Sequence, residues 1–215
     1  MPRVARVSPA HIAAVAALEF SERGYAGARV DRIAKRAKVN KAMLYYHFGS
    51  KQGLYRTLLR TTFEKISTEL QAIAVAGAPP AAGLANAVST LAAFIDQHTY
   101  FPAIMLREVA EGGTHLDAAT LAALAAVPQA FGSILQPGID QGVFRRMHPL
   151  AAYFMTIAPI LMFVASTPVR RQLSSRKLVP ALASTLTTEV FLGDLQRSLQ
   201  LAFSAPHPPH PSTRL

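Results

Sequence analysis

Apolar residues recur three and four apart along most of the chain, and no stretch sustains the period-two alternation of a half-buried strand. Ala, Leu, Arg and Gln, all good helix formers, are abundant, so the pattern predicts an all-α fold. Ser8-Pro9 starts the first helix, a capping hydroxyl followed by a proline whose missing N–H is no loss there. Ile12, Val15, Ala16 and Phe20 then share one face until Gly24 ends the helix. A short second helix over Val30 to Ala37 turns Val30, Ile33, Ala34 and Ala37 inward and leaves Arg29, Arg32, Lys35 and Arg36 outward or flanking. After the link Lys38-Val39-Asn40, Asn40 caps a third helix running from Lys41 to Tyr46 or His47. Gly49-Ser50 then breaks the chain and caps a long fourth helix, Lys51 to about Val75.

Beyond it the breakers are Ala78-Pro79-Pro80, Tyr100-Phe101-Pro102, Gly112-Gly113, Gly142, His148-Pro149, Thr167-Pro168 and Pro180. They divide the rest into helices at roughly 82–98, 102–111, 117–141, 150–166 and 183–203, the third expected to kink or split at Pro137-Gly138. Residues 205–215, with PHPPHP inside, lack the apolar content to pack and read as a disordered tail. The division is thus a helical head over 1–55, a larger helical body over 56–204 and the tail.

Charge sharpens this division. Residues 1–60 hold 12 Lys and Arg against 3 Asp and Glu, while residues 61–215 hold 10 against 9, so +9 of the net +10 sits in the first quarter. A basic head on a near-neutral body is the footprint of a module that meets a polyanion, because each neutralised phosphate releases condensed counterions. Nucleic acid and an anionic membrane both fit charge alone. The absence of Cys excludes disulfides and thiolate metal sites and agrees with a cytoplasmic location. The basic and then apolar N-terminus resembles a signal peptide only superficially. His11 and Glu19 interrupt it and no small-residue cleavage site follows, so it is expected to belong to the mature protein.

Two short helices joined by a three-residue turn, with another packed helix before them, make a helix-turn-helix whose second short helix enters the major groove. Leu44 and Phe48, four apart, pin this reading helix inward, while Lys41, Met43, Tyr45 and Tyr46 point toward a groove or its phosphate walls. Tyrosine hydroxyls, His47 and Lys51 can donate to phosphate oxygens, as can the free backbone N–H groups where the long helix starts at Ser50.

The segments FSERGY (20–25), VDRIAKRAKVNKAMLYYHF (30–48) and GSKQGL (49–54) together resemble the DNA-binding domain of the TetR family of one-component regulators. FPAIMLREVAEGG (101–113) resembles ligand domains in some branches of that family. The resemblance implies a homodimer that binds a palindromic double-stranded DNA operator, usually represses, and lets go when a small, largely apolar effector enters the body. It places Arg29, Lys41, Met43 and Tyr45 where they can touch bases. It places the backbone of Val30, with Tyr46, His47 and Lys51, where they touch phosphates. By the same analogy, helices 150–166 and 183–203 form the dimer seam, with Val190-Phe191, Leu195, Leu199 and Phe203 as its apolar face.

Four residues depart from the family pattern. Ala28 stands where a Thr or Ser usually caps the second helix, so that bond is missing or comes from a neighbour. Lys38 replaces the usual turn glycine, which costs strain if φ there is positive. Glu19 takes a normally apolar place, with an i,i+4 pairing to Arg23 on a shifted face as the expected accommodation. Gly53 cannot complete a capping box with Ser50.

Phe94, His98, Tyr100, Phe101, Met105, Phe131 and Met155, bulky side chains or polar tips on body helices, are the candidate effector-lining residues. The uncharged stretch from Met147 to Val169, flanked by Arg145-Arg146 and Arg170-Arg171, is long enough to span a membrane. Pro149, Pro159 and Pro168 leave only a short unbroken helix, so it is expected to be buried in the body and a dimer interface, with no membrane partner. A membrane-associated helical protein with a basic lipid-facing head is the competing reading. No GxSxG, GxGxxG, Walker loop or metalloprotease motif occurs, so neither catalytic residues nor a cofactor are expected. Glu108, Glu111 and His115 have a metal-like spacing. Gly112-Gly113 interrupts the helix between them and Arg107 offers Glu111 an i,i+4 partner, so a surface or structural role, with no metal, is expected. His207 and His210 lie in the proline-rich tail, where a functional metal site is not expected.

Overall fold

The computed structural model describes residues 8–176, 178–179 and 186–205. Among them are ten α-helices and no strand beyond one isolated bridge between Phe144 and Ser204, as the all-α expectation requires. In chain order they are α1 Pro9–Gly27, α2 Val30–Ala37, α3 Lys41–Phe48, α4 Lys51–Ala76, α5 Pro80–Gln97, α6 Phe101–Ala110, α7 Ala118–Asp140, α8 Pro149–Ala165, α9 Thr167–Ser175 and α10 Thr188–Phe203. The expected tail beyond Ala205 and residues 183–185 of the last expected helix lie outside the described residues. The described residues within Met1–Ile66 and Phe94–Ala126 form one compact unit, and those within Ser67–Ala93 and Val127–Leu215 form a second.

In the first unit the expected caps are in place. Ser8 Oγ accepts from the His11 N–H at 3.2 Å, and Asn40 Oδ1 from the Met43 N–H at 2.8 Å. Ile12, Ala16 and Phe20 of α1, Ile33, Ala34 and Ala37 of α2, Leu44 of α3 and Leu54 and Leu59 of α4 are buried together as its core. Val15 is only partly covered, and Ala17 takes the buried place instead. The first helix does not stop at Gly24. Gly24 takes φ +69°, which glycine adopts without a Cβ penalty, and the chain resumes helical geometry to Gly27. Ser50 Oγ accepts from the Gly53 N–H at 2.9 Å, half of a capping box. A Cβ at Gly53 would lie 2.0 Å from the Phe48 carbonyl oxygen, so this tight turn into α4 uses glycine where an acidic residue would otherwise cap.

Glu19 overturns its expected pairing with Arg23. It stays on the inward face, 1 % exposed, and its carboxylate meets α2 instead: Arg32 Nε donates to Oε1 at 2.6 Å and an Arg36 NH to Oε2 at 3.3 Å. Arg36 also bridges to Glu22 at 3.0 Å. Burial works against ionising Glu19, but Arg32, the Arg29 backbone and Arg36 outweigh it and hold the carboxyl below the ordinary range. No side-chain bond caps α2: Arg29 is the capping residue and Ala28 is buried.

Lys38 is the strained residue. It has φ +56° and ψ +40°, with its N–H bonded to Lys35 and the Val39 N–H to Ala34, the two bonds of a Schellman ending. A left-handed L-residue costs roughly 1–2 kcal/mol, part of which glycine gives back through unfolded-state entropy. Lys38→Gly is therefore expected to stabilise the protein by about 0.5–1 kcal/mol, read as a higher midpoint in thermal melting.

The second unit has its core in Leu84, Val88 and Leu91 of α5, Val127, Phe131 and Leu135 of α7, Ala152, Thr156 and Ile160 of α8, and Leu199 and Phe203 of α10. α7 is one helix through Pro128 and Pro137, so of the expected kink or split at Pro137-Gly138 the split does not occur. Thr167-Pro168 is not only a breaker: the chain bends by 47° after α8 and Pro168 sits in the first turn of α9, a helix the pattern missed. Leu199 and Phe203, expected on a dimer face, are consumed within this unit, and Phe191 stacks on Phe163 at 4.1 Å. By length and composition α7 could cross a membrane, as could α8 with α9 if the bent pair counted as one span. The burial of Val127, Ala130, Phe131, Ile134 and Leu135 on one face of α7 is instead that of a helix packed in a protein core.

Candidate nucleic-acid interface

α3 is eight residues long and is fixed at both ends, by the Asn40 cap and by the Gly49 N–H bonded to the Tyr45 carbonyl at 2.8 Å. Leu44 is 2 % exposed and Phe48 is partly buried, so these two hold the helix in the unit. The opposite side is open. Tyr45 is 49 % and Tyr46 85 % exposed, His47 is exposed, and its ring lies edge-on to Tyr46 at 5.1 Å. Met43, Tyr46 and His47 line a shallow concavity with Asn40, Ala42, Ser8 and Pro9. Two solvent-facing tyrosines on a short capped helix contribute nothing to the core, and their aromatic faces and hydroxyls suit base edges and phosphates.

The remaining predicted contact residues are placed less uniformly. Arg29 is exposed just before α2, where the Val30 N–H opens the helix without a side-chain cap and so offers a donor to an anion. Lys41 is exposed and ion-paired with Asp31, a surface pair of small energy that a phosphate can replace. Lys51 turns inward. Its ammonium donates to the carbonyls of Tyr25 at 2.9 Å and Ala28 at 3.2 Å and lies 4.4 Å from the Tyr25 ring centroid. In this structure Lys51 ties α4 to the end of α1 and holds the reading helix from behind.

A second group of polar contacts, invisible in local periodicity, links α1 and α4 to α6. Arg107 does not reach for Glu111. Its guanidinium donates to the carbonyls of Phe20 at 3.1 Å and Ser21 at 2.7 Å, in the turn of α1 just before the Gly24 break. The Tyr55 hydroxyl donates to buried Glu108 at 2.8 Å, and burial together with that carboxylate pushes the phenol well above its ordinary value. Of the surface or structural role expected for Glu108, it is the structural one that the fold takes up, at 2 % exposure.

Of the effector candidates, Phe94, His98, Tyr100 and Phe101 gather in the first unit. Phe94 stacks on His98 at 4.2 Å and meets Phe101 at 6.2 Å, while His98 lies 5.8 Å from Tyr100. Burial raises the Tyr100 phenol, against a hydrogen bond with Thr62 that lowers it. Met105 is half-buried on α6. Phe131 and Met155 belong to the second unit, Phe131 fully buried beside Tyr153 at 5.9 Å and Met155 44 % exposed.

Comparison with known proteins bears on both ends of the chain. Residues 12–58 match the model for bacterial regulatory proteins of the tetR family, and residues 80–181 match that of the tetracyclin repressor-like C-terminal domain. The HTH-type transcriptional repressor NicS of Pseudomonas putida is 29% identical over 160 residues, 73% of this chain and 74% of that protein. IcaR of Staphylococcus aureus, a negative transcriptional regulator of a biofilm operon, is 44% identical over 48 residues, 22% of this chain and 26% of its own. The crystal structure of a putative transcriptional regulator, SCO4942 from Streptomyces coelicolor, aligns with a TM-score of 0.65 at 22% identity, over 92% of this chain and 98% of that one, which shows the shared fold.

Proposed function

Because the chain belongs to the TetR family of bacterial transcriptional regulators, we propose that it is a cytoplasmic homodimeric repressor that leaves a palindromic operator when a small molecule binds. The observation that carries the DNA-binding part is α3: Leu44 buried beneath, Tyr45, Tyr46 and His47 presented outward, and +9 of the net +10 charge in the same first sixty residues. Residues 1–55 act as the DNA-binding domain and 56–204 as the effector-binding and dimerisation domain. Arg29, Lys41, Met43 and Tyr45 face bases; the Val30 N–H, Tyr46 and His47 face phosphates, and Lys51 adds field strength from behind.

Dimerisation uses α8 and α10. Leu150, Phe154 and Met162 are exposed at four- and eight-residue intervals along α8, with Val190 and Leu201 exposed on α10, an unpartnered apolar face of the kind a second copy covers. The aromatic group of Phe94, His98, Tyr100 and Phe101, with Met105, takes a largely apolar effector. Its preference for one spacing of the two heads supplies the switch. A regulator of this kind needs no catalytic residues and no membrane.

Footprinting of the purified protein on DNA upstream of its own gene is expected to show one protected site with two-fold symmetry. Compounds that raise the melting temperature in a small-molecule screen are expected to abolish that protection. Protection without symmetry would overturn the dimeric reading, and no protection on that DNA or on a randomised pool would overturn DNA recognition.

A further inference from the structure

Glu108, Glu111 and His115 come together although Gly112 and Gly113 break the helix between them: one donor atom from each lies within 4.8 Å of the others. His115 Nδ1 is 2.7 Å from Glu108 Oε1 and 3.4 Å from Glu111 Oε2. Four ligands held tetrahedrally at about 2.1 Å stand about 3.4 Å apart, so the observed spacings need little adjustment to hold one ion. An independent observation points the same way. Glu108 is 2 % exposed, Tyr55 and His115 both use its Oε1, and its Oε2 is buried without a hydrogen-bond partner among the described residues. An unpaired buried carboxylate oxygen is costly, and a cation satisfies it. Glu111 is 48 % exposed, which leaves a path for an ion to enter and a position for water.

We propose that Glu108, Glu111 and His115 form a divalent transition-metal site that takes Zn²⁺ in preference to Mg²⁺ and Ca²⁺. One imidazole and two carboxylates favour zinc over the all-oxygen ligands' partners Mg²⁺ and Ca²⁺. The site also touches the head. The His115 ring packs 4.1 Å from that of Tyr25, whose carbonyl accepts from Lys51 at the start of α4, and Tyr55 of α4 hydrogen-bonds Glu108. Metal binding therefore fixes the turn after α6 against the elements that support α3, and alters operator affinity. This second consequence rests on the DNA-binding reading above; the site itself does not.

The test uses the full chain with His207 and His210 replaced by Asn, so that bound zinc is not theirs. Titration against a chromophoric chelator is expected to give one Zn²⁺ per chain, with Mg²⁺ and Ca²⁺ at millimolar concentration failing to compete. Glu111→Gln, at a half-exposed position outside the core, is expected to weaken zinc at least tenfold, and His115→Asn to abolish stoichiometric binding. Zinc at equal affinity in both variants, or none in the parent, overturns the site. Operator affinity is expected to change at least threefold with zinc in the parent and not in His115→Asn. Stoichiometric zinc with unchanged operator affinity overturns the coupling alone, and loss of operator binding with and without zinc overturns the reading it rests on.

Discussion

Replacing both Arg32 and Arg36 with alanine is expected to destabilise the protein by about 3 kcal/mol, the cost of a buried charge left without its partners. Glu19 is 1 % exposed and, among the described residues, its carboxylate is ion-paired with Arg32 and Arg36 alone, while the arginines are 37 % exposed and reach water once freed. Arg32 also donates to the Gly27 carbonyl at 2.6 Å, so the double variant loosens the end of α1 as well. Circular dichroism should show the melting midpoint falling by roughly 6–12 °C for a chain of this size. Adding Glu19→Leu to the double variant removes the stranded carboxylate and should recover most of the loss, since an apolar residue of similar volume often replaces a buried ion pair at little cost. If the triple variant melts as low as the double one, packing rather than charge is at fault.

The same network predicts a pH dependence. With its arginines present, Glu19 titrates below the 4.5 of a free carboxyl, so the folded state binds fewer protons there than the unfolded one. Its stabilisation is complete above that range and is lost as pH falls through the lowered folded value. In the double variant burial is opposed only by the Arg29 backbone, so the carboxyl rises and the folded state holds its proton more tightly. The stability gap between parent and double variant should therefore narrow from pH 7 to pH 4.

The helices were legible because their signals are local: Ser8 and Asn40 as caps, Pro149 in a first turn, and the four-residue spacing of Ile12, Ala16 and Phe20. The errors come from partners distant in sequence. Local spacing offers Glu19 an i,i+4 partner in Arg23, but its partners are arginines 13 and 17 residues away, because α2 packs on α1 at that level. Spacing likewise pairs Arg107 with Glu111, yet Arg107 serves carbonyls 86 and 87 residues earlier, at a helix break that only the glycine hints at. Pro168 shows the other failure, since a proline ends one helix and opens the next with equal ease. Within the candidate site, the outward face of α3 followed from Leu44 and Phe48 alone, whereas the inward turn of Lys51 depends on where the α1 carbonyls lie.

Changing Tyr45 and Tyr46 together to alanine is expected to lower operator affinity at least 100-fold while leaving the fold intact. The fold is spared because both side chains stand in solvent, at 49 % and 85 % exposure, and α3 keeps its cap and its buried Leu44. Affinity suffers because a base contact is worth about 1–3 kcal/mol and every 1.4 kcal/mol is a factor of ten. In the proposed dimer each loss occurs in both half-sites. The salt response separates the roles. Tyrosine carries no charge and releases no counterion, so the slope of log affinity against log salt should stay near that of the parent. Lys41→Ala, by contrast, removes a charge along with a base contact, so it should reduce the slope by about 0.9 per head and weaken binding to the operator more than binding to scrambled DNA. Fluorescence anisotropy at four salt concentrations, on operator and on scrambled DNA, reads both effects. Parent-like operator affinity in the double tyrosine variant would mean that α3 does not read the groove, however well its geometry is built for it.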